Sequence, residues 1–371
     1  MWPYLIPIIF VFLMNLTKQG NIEMVCGRQR IHINKLILSL GVLFAFAALR
    51  GNGSGDYFSY LRMGKNITGF HKIFDNNIHM DIGYCFLAWI VNLFHLPSQA
   101  VIALMNMISI GAIGILIRRY SKFPMLSVLI FLPFYFQFDM HAARTACAIG
   151  IMTLSAPYIL KRDFKRFLFI LFIAVLFHPE AVIGIMLYFL PAFNINLKSS
   201  LVFIFVDFAI LACDLSDKLV LAVLRMINLQ NIYNRFLSYT QESNPMSYAG
   251  SLFDPRLFVA LLIFLYSKIS MIETDRLGKF LVNTSYVNLL LMIFFNNHAV
   301  FIYRLSSFYG IFSIILLPLI FERAKKKSLD VNIRYQYQKV RYLLVIMYTV
   351  LSTVYAMKIS VPYVLCRLTY W

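Results

Sequence analysis

Two polar residues interrupt long apolar stretches of this chain, an arginine at 144 and a histidine at 178. Arg144 lies in the segment QFDMHAARTACA, and His178 lies in the segment LFHPEAV. A charged side chain at the centre of a bilayer costs at least ~2.5–3.5 kcal/mol, so a chain that keeps one there has a functional reason by default. Arginine can neutralise an anion and histidine can move a proton. Both residues are therefore candidates for an active site.

Further charged residues are predicted to approach the same face of the membrane. A guanidinium stays charged and binds phosphate oxygens through two parallel hydrogen bonds, so we predict that an arginine group binds the diphosphate of a lipid carrier. Its predicted members are Arg144, Arg304, Arg50 and Arg256. For the acid/base role we rank His178 first, followed by Asp56, Asp81 and Glu180.

Each candidate also has a structural alternative. Arg144 could pair with the nearby Asp139, and His178 could be a buried histidine with its hydrogen bonds satisfied. Arg50 could anchor a helix at the interface, and the three carboxylates could be helix caps. The sequence has no HExxH, GxSxG or Walker pattern, which removes support for metal or serine hydrolysis and for nucleotide hydrolysis.

The composition is that of a membrane protein. Sixty per cent of the 371 residues are hydrophobic and the mean hydropathy is +0.74. Apolar runs recur along the whole length, which predicts an all-α polytopic membrane protein. The five cysteines form no CxxC motif, so we expect neither a metal nor a disulfide framework, and no cofactor. The net charge of +18 falls mainly in alternate short loops, as in the positive-inside pattern, and does not indicate nucleic acid binding.

The charge pattern predicts about 10–12 transmembrane helices in one domain over 1–371. Interfacial and half-inserted helices, at about 57–67 and 82–94, are expected around an outward-facing cleft. The segments 50–81 and 214–255 are predicted to be external, and 322–341 to be a basic cytoplasmic loop. The full crossings are predicted at about 4–16, 36–49, 98–117, 124–138, 142–160, 199–213, 256–271, 280–297, 300–321 and 342–356.

The apolar segment 167–193 is interrupted at His178-Pro179. Proline disrupts a helix interior but suits the first turn of a new helix. Polar residues flank both ends, so we predict two half-helices that enter from the cytoplasm and meet at His178. The alternative is one kinked span.

Five motifs follow one another in an order that resembles the EpsG/Wzy-type polysaccharide polymerases of bacterial inner membranes. They are Arg50 followed by Gly55-Asp56-x-x-x-Tyr60, Asp81-x-Gly83-Tyr84, Arg144-x-x-x-Ala148, Phe177-His178, and Arg304-Leu305-x-x-Phe308, with a late Pro362-Tyr363 pair. The chain departs from the family at His141 and Thr145, where asparagine and glutamine are usual, and at Pro179, where serine is usual.

The resemblance implies a GT-C-like glycosyltransferase that works at the periplasmic face. It would join oligosaccharide repeat units carried on undecaprenyl diphosphate, without a metal, and with a flippase and a chain-length regulator of the same pathway as partners. Two other functions stay open, a flippase for lipid-linked oligosaccharides and a ligase of the O-antigen type. A flippase needs basic residues along a path across the bilayer. A ligase would use the same glycosyl-transfer chemistry as the polymerase.

Overall fold

Helices dominate the structure. The computed structural model describes residues 2–16, 21–26, 29–51, 56–75, 78, 80–228, 230–240, 255–270, 273–327, 331–357 and 363–366. The predicted all-α membrane class is confirmed, with one small addition that the sequence reasoning missed. Strands β1 (Asn21–Cys26) and β2 (Gln29–Asn34) pair antiparallel in a hairpin, within a segment predicted to be a basic loop.

The described residues form the following α-helices. In chain order they are α1 (Leu5–Leu16), α2 (Lys35–Ala48), α3 (Tyr57–Asn66), α4 (Ile82–Leu93), α5 (Gln99–Tyr120), α6 (Pro124–Phe134), α7 (Ala143–Thr153), α8 (Ala156–Lys161), α9 (Phe164–Phe177), α10 (Leu197–Ala212), α11 (Ser216–Met226), α12 (Gln230–Thr240), α13 (Pro255–Ile269), α14 (Arg276–Phe294), α15 (Ala299–Gly310), α16 (Ser313–Lys327) and α17 (Val331–Met357). Short 3-10 helices cover Trp2–Tyr4, Phe70–Phe74, Pro179–Tyr188 and Leu190–Ala192, and a π-helical turn covers Tyr135–Asp139.

Several helices are long and apolar enough to cross a membrane. Among the described residues these are Gln99–Tyr120, Ala143–Lys161, Arg276–Phe294 and Arg304–Arg323, and the bent pair α10 and α11 would add a fifth span. Six shorter apolar helices of 10–17 residues accompany them. The protein is therefore membrane-embedded, while the predicted total of 10–12 crossings and their orientation stay predictions.

The predicted interruption at His178 is present. Helix α9 ends at Phe177, His178 has an extended backbone (φ −158°, ψ 118°), and a 3-10 helix begins at Pro179. The ring of Pro179 blocks continuation of the α-helix, as expected. Entry of both halves from the cytoplasm stays a prediction.

The predicted loop 322–341 is largely helical. Helix α16 continues to Lys327 and α17 begins at Val331. Lysine, arginine and glutamine are good helix formers, so this basic segment can extend the helices on either side of it. Charge indicates the side of the membrane but not where a helix ends.

The chain divides into two compact units. The first comprises Met1–Val182 and Leu317–Trp371, and the second comprises Ile183–Leu316. In the first unit α7 packs between α5 and α9. A Cβ on Gly150 of α7 would lie 2.8 Å from the Cα of Ser109 on α5, so glycine lets these two helices approach closely. In the second unit α14 packs against α10, α13 and α15.

Candidate active site

Arg144 and Asp81 form the central ion pair of the first unit. Arg144 is the second residue of α7, and Asp81 immediately precedes α4. Arg144 Nη1 lies 2.6 Å from Asp81 Oδ2, and the two side chains are 23% and 17% exposed. Asp81 stands at the N-cap position of α4, yet its side chain makes no cap hydrogen bond. The arginine therefore pairs with Asp81 and not with Asp139, and the cap interpretation of Asp81 is wrong.

His178 lies between two carboxylates of the same unit. Its Nε2 is 3.2 Å from Glu180 Oε2, and its Nδ1 is 3.9 Å from Asp81 Oδ2. The break after α9 places this ring, since the extended backbone of His178 turns the chain and puts Glu180 in the first turn of the next helix. Glu180 is thus within reach of one ring nitrogen, while the other nitrogen faces Asp81 beyond hydrogen-bond distance, an arrangement that suits an acid/base residue.

Tyr60 connects the ion pair to Asp56, a role that the sequence reasoning missed. The Arg144 guanidinium carbon lies 5.7 Å from the centroid of the Tyr60 ring, within the range of a cation–π contact. The Tyr60 hydroxyl donates to Asp56 Oδ2 at 3.3 Å. Burial raises the pKa of Tyr60, and the nearby Asp56 carboxylate raises it further, so the phenol stays protonated at neutral pH. The spacing of Asp56 and Tyr60 by one helical turn was the available signal.

A close approach of α4 and α9 positions these groups. A Cβ on Gly83 would lie 2.8 Å from the ring of Phe177, so only glycine allows the observed packing. The Tyr84 hydroxyl donates to the backbone carbonyl of Tyr60, which fixes α3 on α4. The Asp81-x-Gly83-Tyr84 and Phe177-His178 motifs therefore interlock, and all five predicted catalytic residues, Asp56, Asp81, Arg144, His178 and Glu180, lie in one cluster. We call these five residues with Tyr60 the Arg144 cluster.

Arg50 lies in a different environment of the same unit. It is only 1% exposed, and its Nη1 donates to the backbone carbonyl of Asp139. It also forms an isolated β-bridge with Leu365, while Tyr363 stacks on Phe46 of α2 with ring centroids 4.1 Å apart. The backbone on either side of Arg50, at Leu49 and Gly51, thus binds the described C-terminal residues 363–366, while the Arg50 side chain bonds Asp139.

The other two predicted diphosphate ligands belong to the second unit. Arg256 is the second residue of α13, Arg304 is the sixth of α15, and both are half-buried. That unit has an ion pair of its own, in which His298 Nε2 lies 2.7 Å from Asp217 Oδ1. Within the first unit the predicted arginine group therefore reduces to Arg144 and Arg50.

His141 stands where the family usually has asparagine. Burial lowers its pKa to about 4, and the Arg50 charge acts in the same direction, so the ring is neutral at physiological pH. Across the described ranges, no three His, Cys, Asp or Glu side chains are arranged to hold a metal ion. The expected independence from metals stays a prediction.

The comparisons with known proteins give one family. The model of the EpsG family matches residues 34–366, which include every motif of the Arg144 cluster. No curated protein and no solved structure matches the chain. A match over nearly the whole length shows the membership, so the chain belongs to the EpsG family and has a polysaccharide-polymerase-like function in general terms.

Proposed function

We propose that this protein joins oligosaccharide repeat units carried on undecaprenyl diphosphate, at the periplasmic face of a bacterial inner membrane. The observation that carries the proposal is the Arg144 cluster, in which a half-buried guanidinium, an imidazole and three carboxylates, one of them joined through Tyr60, lie together near the starts of α3, α4 and α7. Such a set can bind an anion and transfer a proton in one place.

The reaction makes one bond and breaks one bond. A sugar hydroxyl of the incoming lipid-linked unit attacks the anomeric carbon of the growing chain. The bond between that carbon and the diphosphate oxygen breaks, and its electron pair leaves with undecaprenyl diphosphate. The hydroxyl proton passes to a base on the protein, and the negative charge that develops on the leaving group has to be neutralised.

Arg144 and His178 are assigned these two tasks. Arg144 uses one nitrogen for Asp81, and its remaining N–H groups are donors for the leaving diphosphate. His178 accepts the hydroxyl proton at Nδ1, which lies 3.9 Å from the nearest Asp81 oxygen, while Glu180 lies 3.2 Å from Nε2. The Tyr60 ring supports the guanidinium through the cation–π contact.

The test replaces Arg144 or His178 by alanine in the intact protein. Each variant is expected to insert normally but to lose chain elongation, seen as the loss of the ladder of polymer lengths on a gel. Arg166→Ala is the matched control, because Arg166 is an exposed arginine at the start of α9 and lies outside the cluster. Wild-type polymer lengths in both variants would refute the assignment.

The accumulated lipid-linked product separates the proposal from its alternatives. In a strain without the protein, single repeat units that accumulate at the periplasmic face support a polymerase. Units that remain on the cytoplasmic face would indicate a flippase, and long unattached chains would indicate a ligase.

A further inference from the structure

A cavity opens on the side of α3 that faces away from the Arg144 cluster. Its volume is about 560 Å³, within the range of small-molecule sites. Tyr60, which contacts Arg144, lies on one face of α3, while the opposite face borders the cavity. The lining residues are Tyr57, Phe58, Ser59, Leu61, Arg62, Met63, Lys65, Pro97, Ser98, Gln99 and Cys366.

Two cations give this cavity its charge. Arg62 and Lys65 are exposed on α3, one turn apart, and neither forms an ion pair with another described residue. Among the lining residues that the structure describes, none is acidic. A pair of uncompensated cations beside a cavity favours a ligand with two or more negative charges, such as a diphosphate.

The walls beside the cations are apolar. Phe58 is 59% exposed, and Leu96, next to the lining residue Pro97, is 47% exposed. A purely ionic ligand would leave these side chains in water, whereas a lipid would cover them. Charge and apolar surface together fit an amphiphile with an anionic head and a hydrocarbon tail.

The base of the cavity is fixed by hydrogen bonds. Gln99 Nε2 donates to the carbonyl oxygens of Ala48 and Arg50 at 2.7 and 2.9 Å, and Tyr57 donates to Gln99 Oε1 at 3.0 Å. The side chains that form the base are thus held before any ligand arrives, which reduces the entropic cost of binding.

We infer that this cavity binds the diphosphate and the first isoprene units of a second lipid-linked substrate, while the Arg144 cluster holds the first. The inference rests on the proposed function, since joining two lipid-linked units requires two anionic lipid heads at once. Helix α3, about 10 Å across with its side chains, would then separate the two heads. The same chemistry is offered by an anionic phospholipid of the bilayer, so the test has to distinguish the two sources.

Cys366 lines the cavity and can report on its occupancy. The full-length protein, with Cys26 and Cys213 replaced by serine, retains Cys366 together with the buried Cys85 and Cys147. Farnesyl diphosphate is expected to slow maleimide labelling of Cys366 about ten-fold, as two charge-assisted contacts would allow. Farnesol and inorganic diphosphate should have little effect, because each lacks one half of the amphiphile.

Variants of the two cations complete the labelling test. R62A/K65A should remove the protection by farnesyl diphosphate, whereas R62K/K65R should keep it. Lys72→Ala is the matched control, because Lys72 is a half-buried cation that donates to the Asn66 carbonyl and is not among the lining residues. Absence of protection by farnesyl diphosphate, or equal protection by phosphatidylglycerol in nanodiscs at the same concentration, would overturn the inference.

Kinetics separate this inference from the proposed function. With purified protein and lipid-linked repeat units, R62A/K65A should raise KM for the acceptor about ten-fold and leave kcat nearly unchanged, the pattern of lost binding without lost chemistry. An unchanged KM would contradict the second lipid site even if Arg144→Ala still abolishes turnover. Full turnover by Arg144→Ala would instead contradict the proposed function.

Discussion

Arg50 and Arg144 were both predicted to bind a diphosphate, and the first unit surrounds them differently. Arg50 is 1% exposed and donates to a backbone carbonyl, whereas Arg144 is 23% exposed and contacts the Asp81 carboxylate and the Tyr60 ring. An arginine as buried as Arg50 is closed to a ligand from outside. A partly exposed arginine such as Arg144 can also bind an anion.

The difference separates two uses of a charge inside a membrane protein. Removing a fully buried charge leaves its partners unsatisfied and destabilises the fold strongly. A partly exposed ion pair costs less to break than a fully buried one, because water can reach the partner that is left behind. The comparison therefore predicts that variants at the two arginines affect different measured quantities.

Among the residues that support Arg144 and His178, the largest effect is expected at Asp81, which pairs with Arg144 and faces His178. Asp81→Asn should lower the elongation rate about 100-fold, because the carboxylate that orients both groups is lost, with the melting temperature unchanged. The rate is measured as release of polyprenyl diphosphate by purified protein. Asp139→Asn is the matched control, a buried aspartate of the same unit beside Arg50. An equal loss of rate in both variants would contradict the distinction between the surroundings of Arg144 and those of Arg50.

Stability should respond in the opposite order. Arg50→Ala is expected to lower the free energy of unfolding by about 3 kcal/mol, since a buried charge that bonds the Asp139 carbonyl is removed. Arg144→Ala should lower it less, because Asp81 is 17% exposed and water can reach its carboxylate once the arginine is gone. Thermal unfolding in detergent measures both. A larger loss of stability for Arg144→Ala than for Arg50→Ala would reverse the comparison.

Gly83 is not a member of the Arg144 cluster, but a larger side chain there should displace His178. Gly83→Ala would push the Phe177 ring away and displace His178 from Asp81, which should lower kcat about ten-fold or more. Gly111→Ala is the control, because a Cβ there meets no atom within 4 Å. That variant should keep full activity. Wild-type kcat in Gly83→Ala would show that the spacing between α4 and α9 does not control the site.

The smallest effect is expected at Tyr60. Tyr60→Phe keeps the ring beside Arg144 and should change kcat less than about three-fold, whereas Tyr60→Leu loses the cation–π contact and should cost about ten-fold. Because burial raises the pKa of Tyr60, the phenol is neutral throughout the neutral range. Wild type and Tyr60→Phe should therefore have parallel pH–rate profiles between pH 7 and about 9. A decline in that range for the wild type alone would contradict this.

The sequence predicted a helix or a helix break correctly where the local residues favour one backbone conformation. Pro179 marked the break after α9, and the polar segment after Arg50 contained the predicted short helix, α3. The hairpin β1–β2 and the helical extension of α17 were missed, because the basic residues there indicated only a side of the membrane. Nothing in composition tells a charged loop from a charged helix end.

The members of the site could be predicted, but their contacts could not. Polar residues in apolar surroundings were visible, and the five predicted catalytic residues lie together. The partner of Arg144 was not predictable, since Asp139 is close in sequence while Asp81 is brought near by the packing of α4 and α7 against α9. The separate role of Arg50 depends on the Asp139 carbonyl, which is 89 positions away and reaches it only in the folded chain.

The most direct test of the central claim is a double-mutant cycle on turnover. Arg144→Ala, His178→Ala and the double variant are purified, and release of polyprenyl diphosphate from a lipid-linked repeat unit is measured for each. If the two residues act as one cluster, each single variant should lose about 100-fold or more and the double variant should be hardly worse. Losses that multiply, or wild-type turnover in either folded single variant, would contradict the account.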